Sequence, residues 1–315
     1  GEDVCECNSC YDCSSLLNNP KSRCNIVKLT KDLNLSEETL TDGACIYNKG
    51  TASYKWINKV FDCQGHRIFD EEILQARYAI RANGTYTDYP PINITIRNCI
   101  IEMTGDYGIY LEKAHNSTIE NNTLINSSME IHVTNNTIIT NNTVRSSHEM
   151  GSWVWVKKSH NNTFLNNRFY DLLYISFDSS NNNSMINNII NHTMEDVAFV
   201  SSSYNSLINN TISFNGYHGI IIDENSKNNF LELNTFCFNN QTDELGGNYY
   251  DIADKSGKTS GRNNICNTTY NYSDEGVEEG CKYKCGEIPL PCKIINASIK
   301  PFCGDDGKCN ISEKI

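Results

Sequence analysis

The sequence predicts an all-β chain whose centre winds into a right-handed, single-stranded parallel β-helix, and three observations carry that prediction. The first is a loose repeat between residues 93 and 236, in which an apolar residue is followed two positions later by a pair, usually Asn-Asn. The first member of the pair falls at Asn98, Asn121, Asn141, Asn166, Asn187, Asn209 and Leu233, at intervals of 23, 20, 25, 21, 22 and 24 residues. A period of that length is the signature of a solenoid. The second is a short strand between successive pairs: Gly108 to Leu111, Glu130 to Val133, Trp153 to Val156, Tyr174 to Phe177, Val197 to Val200 and Gly219 to Ile222. Each shows period-two apolar spacing. The third is composition, since Leu is sparse, helix formers are few and Asn is abundant, which disfavours a leucine-rich or helical solenoid.

Each repeat reads as one coil of about 22 residues. A strand pair with a turn cannot bury its apolar face alone, whereas coils stacked about 4.8 Å apart form parallel sheets around a continuous core. Three inward files are expected. Ile119, Ile139, Phe164, Met185, Leu207 and Leu231 form one, Leu124, Val144, Phe169, Ile190, Ile212 and Phe236 another, and Leu111, Val133, Val156, Phe177, Val200 and Ile222 the third. The Asn pair is structural first, because Asn166-Asn167 and Asn187-Asn188 keep it without a glycosylation sequon. Asn tolerates the left-handed backbone of a tight corner, and its amide can bond to the same amide one coil above and below.

An open solenoid end exposes strand edges, so caps are expected. The chain divides into a Cys-rich N-terminal cap over residues 1–45, the β-helix over 46–250 and a disulfide-rich C-terminal module over 251–315. Of the 15 cysteines, 13 lie towards the two ends and only Cys63 and Cys99 between them. Cys7, Cys10 and Cys13, and Cys281 with Cys285, have zinc-ligand spacing. The spacings do not repeat as clean knuckles, so disulfides are the better reading. Cys237 and Cys266 bracket the loop-rich exit from the solenoid and are expected to be bonded to each other.

The chain opens at Gly1 without a charged or apolar leader, so export is argued from other features. Besides the cysteines there are 17 Asn-x-Ser/Thr triplets, which suit a glycosylated, oxidised protein outside the cell or on its surface. Favoured glycan sites are Asn34, Asn83, Asn116, Asn161, Asn182, Asn240, Asn267, Asn271 and Asn296. Asn121, Asn141 and Asn209 are expected to be tied up in the stack and to carry little glycan. Net charge is −12 with no Lys/Arg-rich stretch, which argues against nucleic acid as a partner. Apolar runs are far shorter than the roughly 20 residues of a membrane span.

The segments Phe61-Asp62-Cys63-Gln64-Gly65-His66-Arg67-Ile68 and Asn93-Ile94-Thr95-Ile96-Arg97-Asn98-Cys99 carry a resemblance. Through them residues 24–236 resemble the exported β-helix repeat proteins of archaeal surfaces and bacterial periplasms, which include NosD and the carbohydrate-binding CASH repeats. Cys303 to Asn310 is similar to the Cys-Gly-Asp-Gly-x-Cys-Asn element that follows such domains, with one extra acidic residue. The resemblance implies architecture more than activity.

Chemistry is harder to find. Polysaccharide lyases and hydrolases of this fold need clustered acids on one outer face, and the outward file Glu112, Thr134, Lys157, Asp178, Ser201, Asp223 offers only an adjacent Lys157 and Asp178. Gly216-Tyr217-His218-Gly219 is a weak echo of a catalytic Gly-His-Gly element. Glu195-Asp196 with Asp223-Glu224 reads as a solvated turn or a weak structural calcium site. The seven histidines show no ligand spacing, so no cofactor and no other metal is expected. What stands out is an outward row of Tyr110, His132, Trp155, Ser176, Phe199 and Ile221, with Tyr174 beside it. Contiguous exposed aromatics mark a binding surface. They are expected to hold another copy of the chain, another surface protein or a glycan. A structural or adhesive cell-surface subunit is therefore the leading expectation, with a polysaccharide-active enzyme as the alternative.

Overall fold

Each coil of the chain gives one strand to each of three parallel sheets. The computed structural model describes residues 3–19, 22–51, 55–70, 77–84, 89–103, 107–147, 151–240 and 248–286, and the backbone of Phe302–Cys303 and Cys309–Asn310. Sheet 1 has eleven strands, from Asp3–Cys7 to Ser260–Arg262, while sheet 2 has ten, from Leu33–Asn34 to Ile265–Cys266. Sheet 3 also has ten, from Ala44–Tyr47 to Thr269–Tyr270. Phe302–Cys303 and Cys309–Asn310 form a separate antiparallel pair.

The stacking has no break at residue 45 or 250. Ala44–Tyr47 pairs with Tyr78–Asn83, and Ile252–Asp254 pairs with both Ile220–Ile222 and Thr269–Tyr270. The expected cap and C-terminal module therefore contribute coils of the β-helix. Closure of the N-terminal end falls to strand Asp3–Cys7 and one helix, Cys10–Asn18. Ser9 caps that helix by accepting from the Asp12 N–H, and Cys10, Cys13 and Leu17 point into the core. The helix packs against Cys24–Leu29 and Ala44–Tyr47, the edge strand of sheet 3, which shields that edge.

Inside, the files of sheets 1 and 2 fall in register as the sequence implies, with Ile119, Ile139, Phe164, Met185, Leu207 and Leu231 opposite one another. Sheet 3 differs. Its inner file is Leu111, Ile131, Val156, Phe177, Phe199 and Ile222, so Ile131 and Phe199 replace Val133 and Val200. Phe199 is 1% exposed and Val200 is 40% exposed. Phe199 is thus no part of an outer surface; its ring stands edge-on to Phe177 at 5.4 Å. Putting the larger side chain inside removes more apolar surface from water, and a one-residue shift exchanges inside and outside for the whole strand.

The corners divide the Asn pair's work. Asn121, Asn141, Asn166, Asn187 and Asn209 adopt φ of 54–56° and are exposed. The second members, Asn122, Asn142, Asn167, Asn188, Asn210, Asn234 and Asn264, are buried and form the amide ladder. The buried ladder therefore belongs to their neighbours, which corrects the expectation for Asn121 and Asn141, whereas Asn209 Nδ2 does donate to Asn187 Oδ1 one coil away at 2.8 Å. At the corner from sheet 3 to sheet 1, Asn116, Asn161 and Asn182 take the same left-handed backbone and are also exposed. Of the other candidate glycan sites, Asn240, Asn267 and Asn271 are exposed, Asn34 is half-buried and Asn83 is buried. Asn296 lies outside the described residues.

Six disulfides close the described chain: Cys5–Cys24, Cys7–Cys13, Cys10–Cys45, Cys63–Cys99, Cys237–Cys285 and Cys266–Cys281. Cys237 and Cys266 are not partners, which corrects the sequence expectation. They occupy successive coils of sheet 2, and the chain after Tyr270 folds back to supply both partners from one short segment.

Candidate functional site: the outer face of sheet 3

Pairing in sheet 3 places Arg81, Tyr110, Glu130, Trp155, Ser176, Ala198 and Ile221 in one outward row. A second row, towards the strand ends, runs Asn83, Glu112, His132, Lys157 and Asp178. Tyr107, Trp153 and Tyr174 precede the strands or stand at their start. Gly108 sits at the register shift between Tyr107 and Ile109. A Cβ on Gly108 would lie 2.9 Å from the Ser127 Cβ and 3.1 Å from Leu124 Cδ2, so a glycine there allows that shift.

These residues build an aromatic floor. Tyr78 stacks on Tyr107 at 5.1 Å, Tyr107 meets Trp153 edge-on at 5.8 Å, and Trp153 stacks on Tyr174 at 6.2 Å. Tyr110 packs edge-on against both Tyr78 and Tyr107. The Lys157 ammonium lies 4.5 Å from the centroid of Trp155. Beyond Trp155 the floor opens into a cleft of about 230 Å³ lined by Trp155, Tyr174, Ser176, Asp178, Glu195 and Asp196.

Acids and a histidine are set into this floor. The Tyr110 hydroxyl donates to Glu112 Oε2 at 3.0 Å, and His132 Nδ1 stands 3.4 Å from Glu112 Oε1 and 3.5 Å from the Tyr110 oxygen. Burial holds the His132 imidazole below its usual range despite the neighbouring Glu112 carboxylate. Burial pushes the Glu130 carboxyl up, against a hydrogen bond from Tyr107 and the Lys157 charge. Burial, with the Glu130 charge second, also pushes the Tyr107 phenol up to about 12. In the cleft, burial raises the Asp196 carboxyl from 3.8 to about 7, with Glu195 adding to the rise. Asp196 is therefore protonated part of the time near neutral pH.

Of the expected surface residues, Tyr110, Trp155, Tyr174 and Ile221 stand on this face half-buried, whereas Phe199 is in the core and Ala198 takes its place. Arg81, Tyr78 and Tyr107 were not legible because they precede or interrupt the clear repeat. Asp196 reads in the sequence as part of a solvated turn, yet it lines the cleft and accepts from the His218 N–H. His218 is buried and held neutral, pushed down to about 4 by burial. Its Nδ1 accepts from the Tyr250 N–H at 2.9 Å, which is a structural role. No helix is long and apolar enough to cross a membrane, and no group of three or more metal-ligating side chains converges, among the described residues.

The family model for the right-handed β-helix region matches residues 78–236, about half of the sequence, and the chain belongs to that family. Among solved structures it is similar to the A-module of the Azotobacter vinelandii mannuronan C-5 epimerase AlgE6, at 11% identity and a TM-score of 0.54, over 85% of this chain and 81% of that one. It is also similar to the A-module of AlgE4 from the same organism, at 10% identity and a TM-score of 0.51, over 82% and 80%. At such identities the likeness is one of fold. A search of curated proteins finds no match.

Proposed function

We propose that this is an exported cell-surface β-helix that binds a polysaccharide lengthwise along sheet 3. The observation that carries the reading is the floor of Tyr78, Tyr107, Trp153 and Tyr174 with Glu112, Glu130 and His132 set among its rings. Sugar rings stack on aromatic faces while their hydroxyls need donors and acceptors at the same surface. Six disulfides and 17 sequons support an extracellular, glycosylated protein. The two epimerase modules act on mannuronan by name, which is compatible with a polysaccharide ligand on this fold.

Self-association through the same face has less support, because Arg81, Glu130 and Ser176 interrupt the apolar row. A second reading, catalysis on the bound polysaccharide, is favoured by the hydrogen-bonded Tyr110, Glu112 and His132 on adjacent coils. Product analysis after prolonged incubation with polysaccharide decides it.

Affinity electrophoresis through gels containing soluble polysaccharides tests the binding reading. Removing one stacking platform, in Trp155→Ala or Tyr174→Ala, should weaken retention about tenfold if each ring contributes about 1.4 kcal/mol. Both variants should keep the wild-type circular dichroism. Wild-type retention of both variants would sink the proposal.

A further inference from the structure

The outer face of sheet 3 forms a trough, and its N-terminal end holds a cation that makes no ion pair among the described residues. Arg81 stands in the outward row between Tyr47 and Tyr110. Its guanidinium lies 4.9 Å from the centroid of Tyr78. Among the described residues its side chain makes no hydrogen bond or ion pair, and its Nε is sealed from solvent without a partner. Three arginines are paired, Arg67 with Glu102 at 2.6 Å, Arg97 with Asp62 at 3.0 Å and Arg262 with Glu232 at 2.6 Å. Arg23, Arg77, Arg145 and Arg168 make no ion pair among the described residues but are exposed, whereas Arg81 is half-buried. Beside Arg81 is a pocket of about 120 Å³ lined by Tyr47, Asn48, Lys49, Asn83 and Asp42. Arg77 stands 5.5 Å from the same Tyr78 ring, and Lys157 further along the trough is likewise free of ion pairs among the described residues.

We propose that Arg81, assisted by Arg77, is an anion subsite that selects polysaccharides bearing carboxylate or sulfate groups. The inference rests on the reading of sheet 3 as a polysaccharide site. A guanidinium presents a planar fork that matches a carboxylate or sulfate through two parallel hydrogen bonds. Stacking on Tyr78 fixes the plane of that fork. With Nε sealed, a ligand meets the Nη end of the fork, where an anionic substituent makes charge-assisted bonds and a neutral sugar offers only hydroxyls. Among the described residues the nearby acids do not occupy the fork: Glu112 is engaged by Tyr110 and His132, Glu130 by Tyr107, and Asp42 is exposed. In a chain of net charge −12, a polyanion approaches only where cations are local, so binding should weaken as salt rises.

Two polymer pairs test this. Polygalacturonate and its fully methyl-esterified form share a backbone and differ in charge, as do dextran sulfate and dextran. By titration calorimetry at low salt, the wild-type protein should prefer the charged member of at least one pair by about tenfold. Which pair shows the preference tells carboxylate from sulfate. Arg81→Gln should lose most of that preference while keeping the neutral affinity, and Arg81→Lys, which keeps the charge without the fork, should fall between. Equal binding of charged and neutral polymers by the wild type, or an undiminished preference in a folded Arg81→Gln, overturns the subsite and leaves the trough standing. Trp155→Ala separates the two ideas, because it should weaken charged and neutral binding alike. If no polymer binds, or Trp155→Ala changes nothing, the trough fails and the subsite falls with it.

Discussion

Asn188 shows how one side chain holds three coils together. Its Oδ1 accepts from the N–H of Asn167 at 2.9 Å and from that residue's Nδ2 at 3.0 Å, while its own Nδ2 donates to the Phe164 carbonyl at 2.9 Å and to Asn210 Oδ1 at 3.0 Å. All of these groups are buried, so nothing else can replace Asn188. Its neighbour Asn187 does a different job, holding φ at 56° at the exposed corner, where glycine is equally at ease, and its side chain accepts one exposed bond, from Asn209 Nδ2 at 2.8 Å. Asn188→Ala should therefore cost about 3 kcal/mol or more, since each buried group left unsatisfied costs about 1–3 kcal/mol. Asn187→Gly should cost a few tenths. Denaturant unfolding of the two variants side by side checks the division. A loss of only a few tenths in Asn188→Ala as well would mean that the ladder contributes nothing to stability.

The strand Val197–Val200 makes the same point for an element. Phe199 sits between Phe177 and Ile222 in the inner file, so Phe199→Ala should cost about 3–5 kcal/mol as a cavity. Trp155→Ala, on the outward side of its strand, should change stability far less. Thermal unfolding distinguishes them, and the reverse order would place Phe199 outside. The reason this strand is misread from sequence lies in the connections. Sheets 1 and 2 are joined by a two-residue corner in coil after coil, as between Glu120 and Thr123 or Leu165 and Arg168. Their two files are therefore legible from the Asn pair alone. Sheet 3 is reached by connections of changing length, from Ile125 to Ser128 in one coil, Arg145 to Val154 in the next and Asn191 to Val197 later. The register there is set by which side chain gains most from burial, and counting residues cannot supply it. The site inherits this limit. Trp155, Tyr110 and Tyr174 are visible as aromatics on a strand, but Arg81 and Tyr78 lie in an earlier coil, and Tyr107 stands where the strand shifts register, which breaks the alternation. The cysteines are similar, because the back-folding that pairs Cys237 with Cys285 leaves no periodic trace.

Over the whole molecule the Asn ladder has a direction. Each Oδ1 accepts from the residue one coil earlier, beginning with the Cys99 N–H to Asn122 at 3.0 Å and passing through every coil to Asn264. The amides therefore point the same way, and the C-terminal end of the row presents only donors. An asparagine cannot finish such a row, because its own NH2 would need a further acceptor. The residue in that place is Asp274, whose carboxylate accepts from Asn264 N at 2.8 Å and Nδ2 at 2.7 Å, from the Tyr272 hydroxyl at 2.7 Å and from the Lys282 N–H at 2.9 Å. A shorter row, Asn215 to Asn239, ends the same way on Asp251, which takes the Asn239 Nδ2 at 3.0 Å and the Asn267 N–H at 2.8 Å. Asp274→Asn replaces one accepting oxygen with a donor and leaves about two buried donors unsatisfied, a loss of about 2–4 kcal/mol. Because coils in a solenoid contact only their neighbours, the loss should stay local. Hydrogen exchange should then show Ser260–Arg262 and Ile265–Cys266 losing protection while Thr118–Glu120 keeps it. Uniform loss along the chain would mean that the coils unfold as one unit. Unchanged exchange at the C-terminal end would mean that the Cys266–Cys281 and Cys237–Cys285 bridges, and not the carboxylate, close the helix.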